Sequence, residues 1–167
     1  TAGIFDGYKD FYDDWDIPNP MGYYAKSKYA AEKYIINYSN NYLICRAGWM
    51  MGGGSKKDKK FINKIMKKIN EGERSINVVE DKLGTPTYTH DFVKNIFKIL
   101  DSNNFGLFNL VCEGKTSRYE VAKEIINILN LENKIKINKV NSEFFSKEYF
   151  APRPRCENLI NLRLNIL

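Results

Sequence analysis

The sequence predicts an α/β protein. Short apolar runs of strand character alternate with longer runs of helical periodicity, and turn signals separate them. No apolar run approaches the ~20 residues that span a bilayer. The chain has 167 residues, of which 43% are hydrophobic and 28% charged, enough to build a core and to exclude wholesale disorder. With 11 Gly and 5 Pro it is neither a collagen nor a linker protein.

The elements follow in order. Thr1 to Phe5 is a short opening run that ends at the turn signal Asp6-Gly7. Tyr8 to Met21 is acidic and aromatic, with Pro18 and Pro20 around Asn19, and reads as an ordered loop. Tyr24 to Tyr38 reads as a helix, favoured by Ala25, Ala30 and Ala31 and free of Gly and Pro. Tyr42 to Gly48 is a candidate buried strand. Gly52-Gly53-Gly54 and the basic stretch around Lys56 break the pattern. Phe61, Ile62, Ile65, Met66 and Ile69 recur at helical spacing, and Gly72 is a stop signal. Ile76 to Val79 is a short strand. Thr89 or Asp91 is the expected cap of a helix with the apolar stripe Phe92, Val93, Ile96, Phe97 and Leu100. Leu107 to Cys112 is a further strand. Ser117-Arg118-Tyr119-Glu120 is a capping box before Val121, Ile125, Ile126 and Leu129. Ile135 to Val140 is strand-like. Pro152-Arg153-Pro154 breaks the chain before a last short segment.

Lys and Arg number 26 against 20 Asp and Glu, a net charge of +6. The excess is mild and the acids are well mixed in. Nucleic-acid binding ranks last, because no recognition module or aromatic–basic stripe is present. Cys45, Cys112 and Cys156 are odd in number and widely spaced. Cys45 and Cys112 lie in apolar runs and read as buried thiols, which predicts a reducing compartment, the cytoplasm, rather than a disulfide scaffold. No metal site is expected, since three scattered Cys and one His lack ligand spacing. The first residues lack the basic and apolar regions of a signal peptide. Position 1 is not Met, which predicts that the chain starts inside a longer protein.

Tyr24-Ala25-Lys26-Ser27-Lys28 places a phenol and an ammonium at i and i+4, one turn apart on one helix face. A free Tyr, with a pKa of about 10, is a poor acid near neutrality. A neighbouring cation stabilises the phenolate, so the phenol can deliver a proton to an oxygen that gains negative charge. Carbonyl reduction requires this when hydride arrives at the carbon. The ammonium can also donate hydrogen bonds to sugar hydroxyls of a cofactor. The same helix repeats the spacing at Tyr29 and Lys33, rotated away by roughly 140°. At most one pair therefore faces a given site, and a bare pattern of this kind is also met as a surface pair.

Context selects Tyr24. Thr1-Ala2-Gly3-Ile4-Phe5-Asp6-Gly7 stands upstream. Pro18-Asn19-Pro20 leads into Tyr24 and Lys28, and Ala31-Glu32 follows. Ile44-Cys45-Arg46-Ala47-Gly48-Trp49, Gly84-Thr85-Pro86-Thr87-Tyr88-Thr89 and Ala151-Pro152-Arg153-Pro154 come after. This ordered set resembles the extended short-chain dehydrogenase/reductase superfamily, and within it the dTDP-4-dehydrorhamnose reductase family, over essentially the whole chain.

The resemblance implies an incomplete Rossmann-type doubly wound parallel sheet plus a small α/β substrate-binding lobe. Residues 1–50 would be a remnant of the Rossmann domain with the catalytic helix. Residues 51–167 would be mainly the lobe, with 85–112 returning to the sheet. It implies reduction of the 4-keto group of a nucleotide-activated deoxysugar with NADPH or NADH. Thr1, Tyr24 and Lys28 would be the catalytic triad: Thr1 bonds the carbonyl oxygen, Tyr24 donates the proton, and Lys28 holds the nicotinamide ribose. Ala2 and Gly3 depart from the family's usual Asp-Tyr, which predicts a different wall beside the sugar. Trp49 would pack on the deoxysugar, its alternative being a core Trp. Arg46 matches a cofactor-binding position, and a structural ion pair fits it equally. Arg153 would grip a pyrophosphate or form a structural salt bridge. Thr85, Thr87 and Tyr88 would position the following helix first and touch substrate second. The glycine-rich cofactor turn is absent from this chain.

Gly52-Gly53-Gly54 lacks the register of a phosphate loop and reads as a flexible loop. Lys56, Lys57, Lys59, Lys60, Lys64, Lys67 and Lys68 read as a solvated face, with contact to a nucleotide diphosphate as the alternative. His90, the lone His, reads as a surface residue. The implied partners are the nucleotide sugar, the missing N-terminal half of the same protein and, optionally, a second copy in a homodimer; no membrane is among them. A sugar-nucleotide epimerase or dehydratase, or a non-catalytic regulatory homologue, is the alternative function on the same scaffold.

Overall fold

The computed structural model describes residues 1–58, 60–149 and 151–166. A 3-10 turn over Ala2–Ile4 opens the chain, and helix α1 spans Tyr23–Tyr38. Strands β1 (Leu43–Arg46) and β2 (Trp49–Met51) follow, then helices α2 (Gly54–Lys57) and α3 (Phe61–Asn70). Next come β3 (Ser75–Val79), β4 (Leu83–Gly84), β5 (Pro86–Tyr88) and helix α4 (Thr89–Asp101). Then follow β6 (Gly106–Asn109), β7 (Thr116–Ser117), helix α5 (Arg118–Ile128), β8 (Lys136–Val140) and β9 (Cys156–Glu157).

Pairing is mostly parallel, as alternating strands and helices require. β1 runs parallel to β6, from Leu43 opposite Gly106 to Arg46 opposite Asn109. β2 pairs with β5, and β3 with β8, both parallel. β4 is the hinge of a small mixed sheet, antiparallel to β7 and parallel to β9.

Three cores result. Helix α4 lays Phe92, Ile96 and Ile99 on Leu43, Cys45 and Phe108 of the β1–β6 pair and on Leu110 just beyond it. Ile65, Ile76, Val78, Ala122, Ile126 and Ile135 close a second core between α3, β3, α5 and β8. Alternating exposure along Ser75–Val79 follows from the two-residue period of a strand with one buried face. The third core gathers Ala2, Ile4, Phe5, Tyr12, Val111 and Leu159, with Tyr29 of α1 packed on it.

The acidic, aromatic segment 8–21 is an ordered loop. Tyr12 forms a parallel bridge with Leu159 and stacks on Phe5 at 4.2 Å between ring centroids. Asp14 is buried and accepts hydrogen bonds from the backbone N–H groups of Asn109 and Arg163. Gly7 turns the chain with φ +85°, and any β-carbon there would sit 2.6 Å from the Arg155 nitrogen.

Several expectations need correction. Helix α4 starts directly from β5, so its N-cap is Tyr88, and neither Thr89 nor Asp91 caps it. The 107–112 strand is shorter, ending at Asn109, because the chain then turns to pair through Asn161. Cys45 and Cys112 are half-buried and Cys156 is the buried one; all three thiols are free. Burial pushes the Cys45 thiol up to about 11. Ser117 does cap α5, accepting the backbone N–H of Glu120 at 3.1 Å. No helix among the described residues is long and apolar enough to cross a membrane.

Candidate functional site

Helix α1 begins at Gly22, which abuts Pro152, and places Tyr24 and Lys28 on one exposed face. The Lys28 Nζ stands 5.7 Å from the centre of the Tyr24 ring, and Tyr24 is 57% exposed. The repeated pair behaves differently. Lys33 approaches the Tyr29 ring to 5.0 Å, but Tyr29 is partly buried and packed against the core that holds Ile4, Phe5 and Tyr12. One phenol thus serves the core and the other faces out, as the helical rotation between them dictates.

Thr1 is half-buried and caps the Ala2–Ile4 turn, which lies against α1. Its Oγ1 accepts the Gly3 N–H at 3.4 Å, so the hydroxyl hydrogen stays available for donation. Gly3, two residues on, lies against Glu157: a β-carbon built on it would stand 3.0 Å from Glu157 Oε1 and 3.9 Å from Thr1 Oγ1.

Arg46 departs from the cofactor-binding expectation. Its side chain is 3% exposed and forked onto Glu32 of α1, with Nη2 2.7 Å and Nε 3.1 Å from Oε2. Its guanidinium also lies 5.3 Å from the Phe5 ring. The pair ties helix α1 to β1, and the remaining nitrogen, Nη1, is buried without a hydrogen-bond partner among the described residues. The ion pair, the other reading of Arg46, is the one formed.

Trp49 sits where β2 begins, half-buried and outside all three cores. Its Nε1–H donates to Glu157 Oε2 at 2.7 Å. Arg118, the first residue of α5, lies 4.5 Å from the indole and 5.1 Å from the Phe61 ring. The indole approaches the β4 backbone so closely that a β-carbon on Gly84 would meet it at 2.5 Å. Burial lowers the Arg118 pKa first, Glu157 counteracts it, and Arg153 lowers it further. Arg153 is thus a neighbour of Arg118. It is exposed and forms no ion pair with a described residue; its carbonyl accepts Lys82 Nζ at 2.9 Å.

Glu32, Arg118 and Glu157 were not singled out from the sequence. Glu32 had a signal: a lone acid one turn beyond Lys28, facing a lone Arg in an apolar strand. Arg118 was hidden inside its capping box. Glu157 lies on a two-residue strand and meets Trp49 across a separation of 108 residues, which no local pattern reveals.

Elsewhere, Lys67 and Lys68 pair with Glu71 and Glu73, and Lys64 donates to the Tyr149 hydroxyl, so these lysines form a solvated face; Lys59 lies outside the described residues. His90 is exposed and stacks on Tyr88. No cluster of metal-ligating side chains occurs among the described residues.

Parallel strands, a substrate-side lobe with its own core and an outward phenol–ammonium helix define part of a Rossmann-like α/β scaffold. The sequence profile described as RmlD substrate binding domain matches residues 1–165, and the chain belongs to that family. The dTDP-4-dehydrorhamnose reductase of Mycobacterium tuberculosis is 28% identical over 163 residues, covering 93% of this chain and 50% of that protein. The crystal structure of dTDP-4-dehydrorhamnose reductase from Yersinia enterocolitica matches with a TM-score of 0.92 at 37% identity, over 100% of this chain and 57% of that one. The Bacillus anthracis reductase, solved in complex with NADP, matches with a TM-score of 0.89 at 30% identity, over 99% and 56%. The chain spans about half the length of the curated relatives it matches.

Proposed function

We propose that this chain is the substrate-side half of an NAD(P)H-dependent reductase acting on the 4-keto group of a nucleotide-activated deoxysugar. The observation that carries the proposal is the exposed Tyr24 phenol, held one helical turn from the Lys28 ammonium in a chain of this family. In this reading Tyr24 delivers its proton to the carbonyl oxygen as negative charge grows there. Thr1 donates a hydrogen bond to the same oxygen. Lys28 stabilises the phenolate left behind and donates to ribose hydroxyls.

The residues present fit the ribose end of a nicotinamide cofactor. Lys28 is exposed and has no carboxylate partner among the described residues. When bound, that cofactor supplies the hydride to the carbonyl carbon. Its pyrophosphate would be gripped by a part of the protein outside this chain. Residues 1–50 and 85–112 belong, on this proposal, with the cofactor-side sheet, which the β1–β6 pairing supports. The free thiols suit a reducing compartment such as the cytoplasm.

The test is cofactor stoichiometry in the full-length protein supplied with a dTDP-4-keto-6-deoxyhexose. One NADPH or NADH oxidised per sugar reduced is expected. Turnover without net consumption would place the scaffold with epimerases and dehydratases, and no turnover with a retained fold would point to a non-catalytic homologue.

A further inference from the structure

Gly3 has no conformational reason to be glycine, since its backbone lies outside the left-handed region where the other turn glycines sit. Space is the reason. A β-carbon built on it would stand 3.0 Å from Glu157 Oε1 and 3.9 Å from Thr1 Oγ1. The carboxylate of Glu157 thus lies against Gly3, two residues from Thr1, in the place a larger residue at position 3 would fill.

The two oxygens of that carboxylate are used differently. Oε2 is fixed by the Trp49 N–H at 2.7 Å. Oε1, the oxygen beside Gly3, takes no hydrogen bond from a described residue. Parallel pairing of β9 with β4 places Glu157 opposite Gly84, the residue on which the indole rests. Strand, indole and carboxylate therefore form one braced unit, with one acceptor oxygen left over beside Gly3.

We propose that Glu157 is a substrate-recognition residue, its Oε1 accepting a hydrogen bond from a ring hydroxyl of the sugar whose keto group Thr1 and Tyr24 address. This rests on the reduction proposed above. A carboxylate is an acceptor only, and a charge-assisted bond to a neutral hydroxyl is stronger than one between neutral groups. The ligand class is a pyranose with a free hydroxyl next to or one carbon beyond the keto carbon. A sugar deoxygenated there would leave the carboxylate partly desolvated and unpaired, which is a strong ground for rejection. The bond is made to a group that does not react, so it contributes equally to ground state and transition state and belongs in KM.

The experiment uses the full-length protein with NADPH, a dTDP-4-keto-6-deoxyhexose and its 2-deoxy and 3-deoxy analogues. Glu157→Gln keeps an acceptor for the Trp49 N–H and removes the charge. It should raise KM about tenfold or more and leave kcat nearly unchanged, a size typical of losing one charge-assisted hydrogen bond. The wild type should disfavour one of the two analogues by about tenfold or more, and the variant should lose that discrimination. Gly3→Ala, which crowds the carboxylate without removing it, should raise KM in the same direction and decides the matter if Glu157→Gln does not fold. An unchanged KM together with unchanged analogue preference overturns the proposal. If the wild type reduces no sugar, the reduction reading fails separately; calorimetric binding of the same three sugar nucleotides then tests Glu157, with equal affinity for wild type and variant overturning it.

Discussion

Helix α5 seals Ala122 and Ile126 into a core it shares with α3, β3 and β8, whereas helix α1, although 16 residues long, buries only Ala25 and Glu32. The lobe is held by apolar burial on several elements at once. The helix that carries Tyr24 and Lys28 is held by one charged pair, Arg46–Glu32, and by Tyr29 on the Phe5 core. Its Tyr34, Ile35, Ile36 and Tyr38 stand exposed. Within this chain the lobe's core closes on itself, whereas helix α1 is tied in mainly by the Arg46–Glu32 pair and by Tyr29, and on the proposal above its exposed apolar residues belong against the cofactor-side half.

Breaking that pair gives the largest expected effect. Arg46→Met leaves Glu32 buried and unpaired, at a cost of about 3–5 kcal/mol. Hydrogen exchange should accelerate more in α1 than in β3 and β8, and equal acceleration in both would remove the contrast. Ile76→Ala, in the lobe, should lose about 2–5 kcal/mol by opening a cavity among Ile65, Val78 and Ile126. Its exchange pattern should be the reverse, with β3 and β8 hit first and α1 spared.

A smaller, pH-dependent effect sharpens the same picture near the loop that flanks α1. The Tyr12 hydroxyl donates to Asp6 at 2.6 Å and holds that carboxyl below its usual pKa. A carboxyl depressed in the folded state contributes stability above its unfolded pKa, near 4, and loses it as pH falls through the folded value. Acid melting should therefore begin below pH about 4 and affect the 1–21 region before the lobe. Tyr12→Phe should flatten that acid limb; an unchanged pH dependence of Tm would contradict the assignment.

Much of this was legible in the residues. The α/β order, the helix over 24–38, the strand at 76–79 and the Ser117 cap all rest on local period or local hydrogen bonding, and each stands in the structure. The two- and three-residue strands β2, β4, β5, β7 and β9 were not legible. They exist because tertiary partners complete their ladders, as Gly84 does between Thr116 and Glu157. The site divides along the same line. Tyr24 and Lys28 are neighbours on one helix, so their spacing announced them. Arg46 had two readings, and only the position of Glu32 across the α1–β1 contact chose between them. Glu157 became visible only once β9 was laid beside β4.

Tyr24 and Tyr29, the two tyrosines of α1 with a lysine four residues on, offer the most direct test of the central claim. In the full-length protein, single-turnover reduction of a dTDP-4-keto-6-deoxyhexose should fall about 10²–10⁴-fold in Tyr24→Phe, the usual worth of a general acid. Tyr29→Phe, with the same spacing to a lysine but a ring in the core, should leave the rate unchanged. Equal rates for wild type and Tyr24→Phe, or a loss in Tyr29→Phe as large as in Tyr24→Phe, would contradict the account.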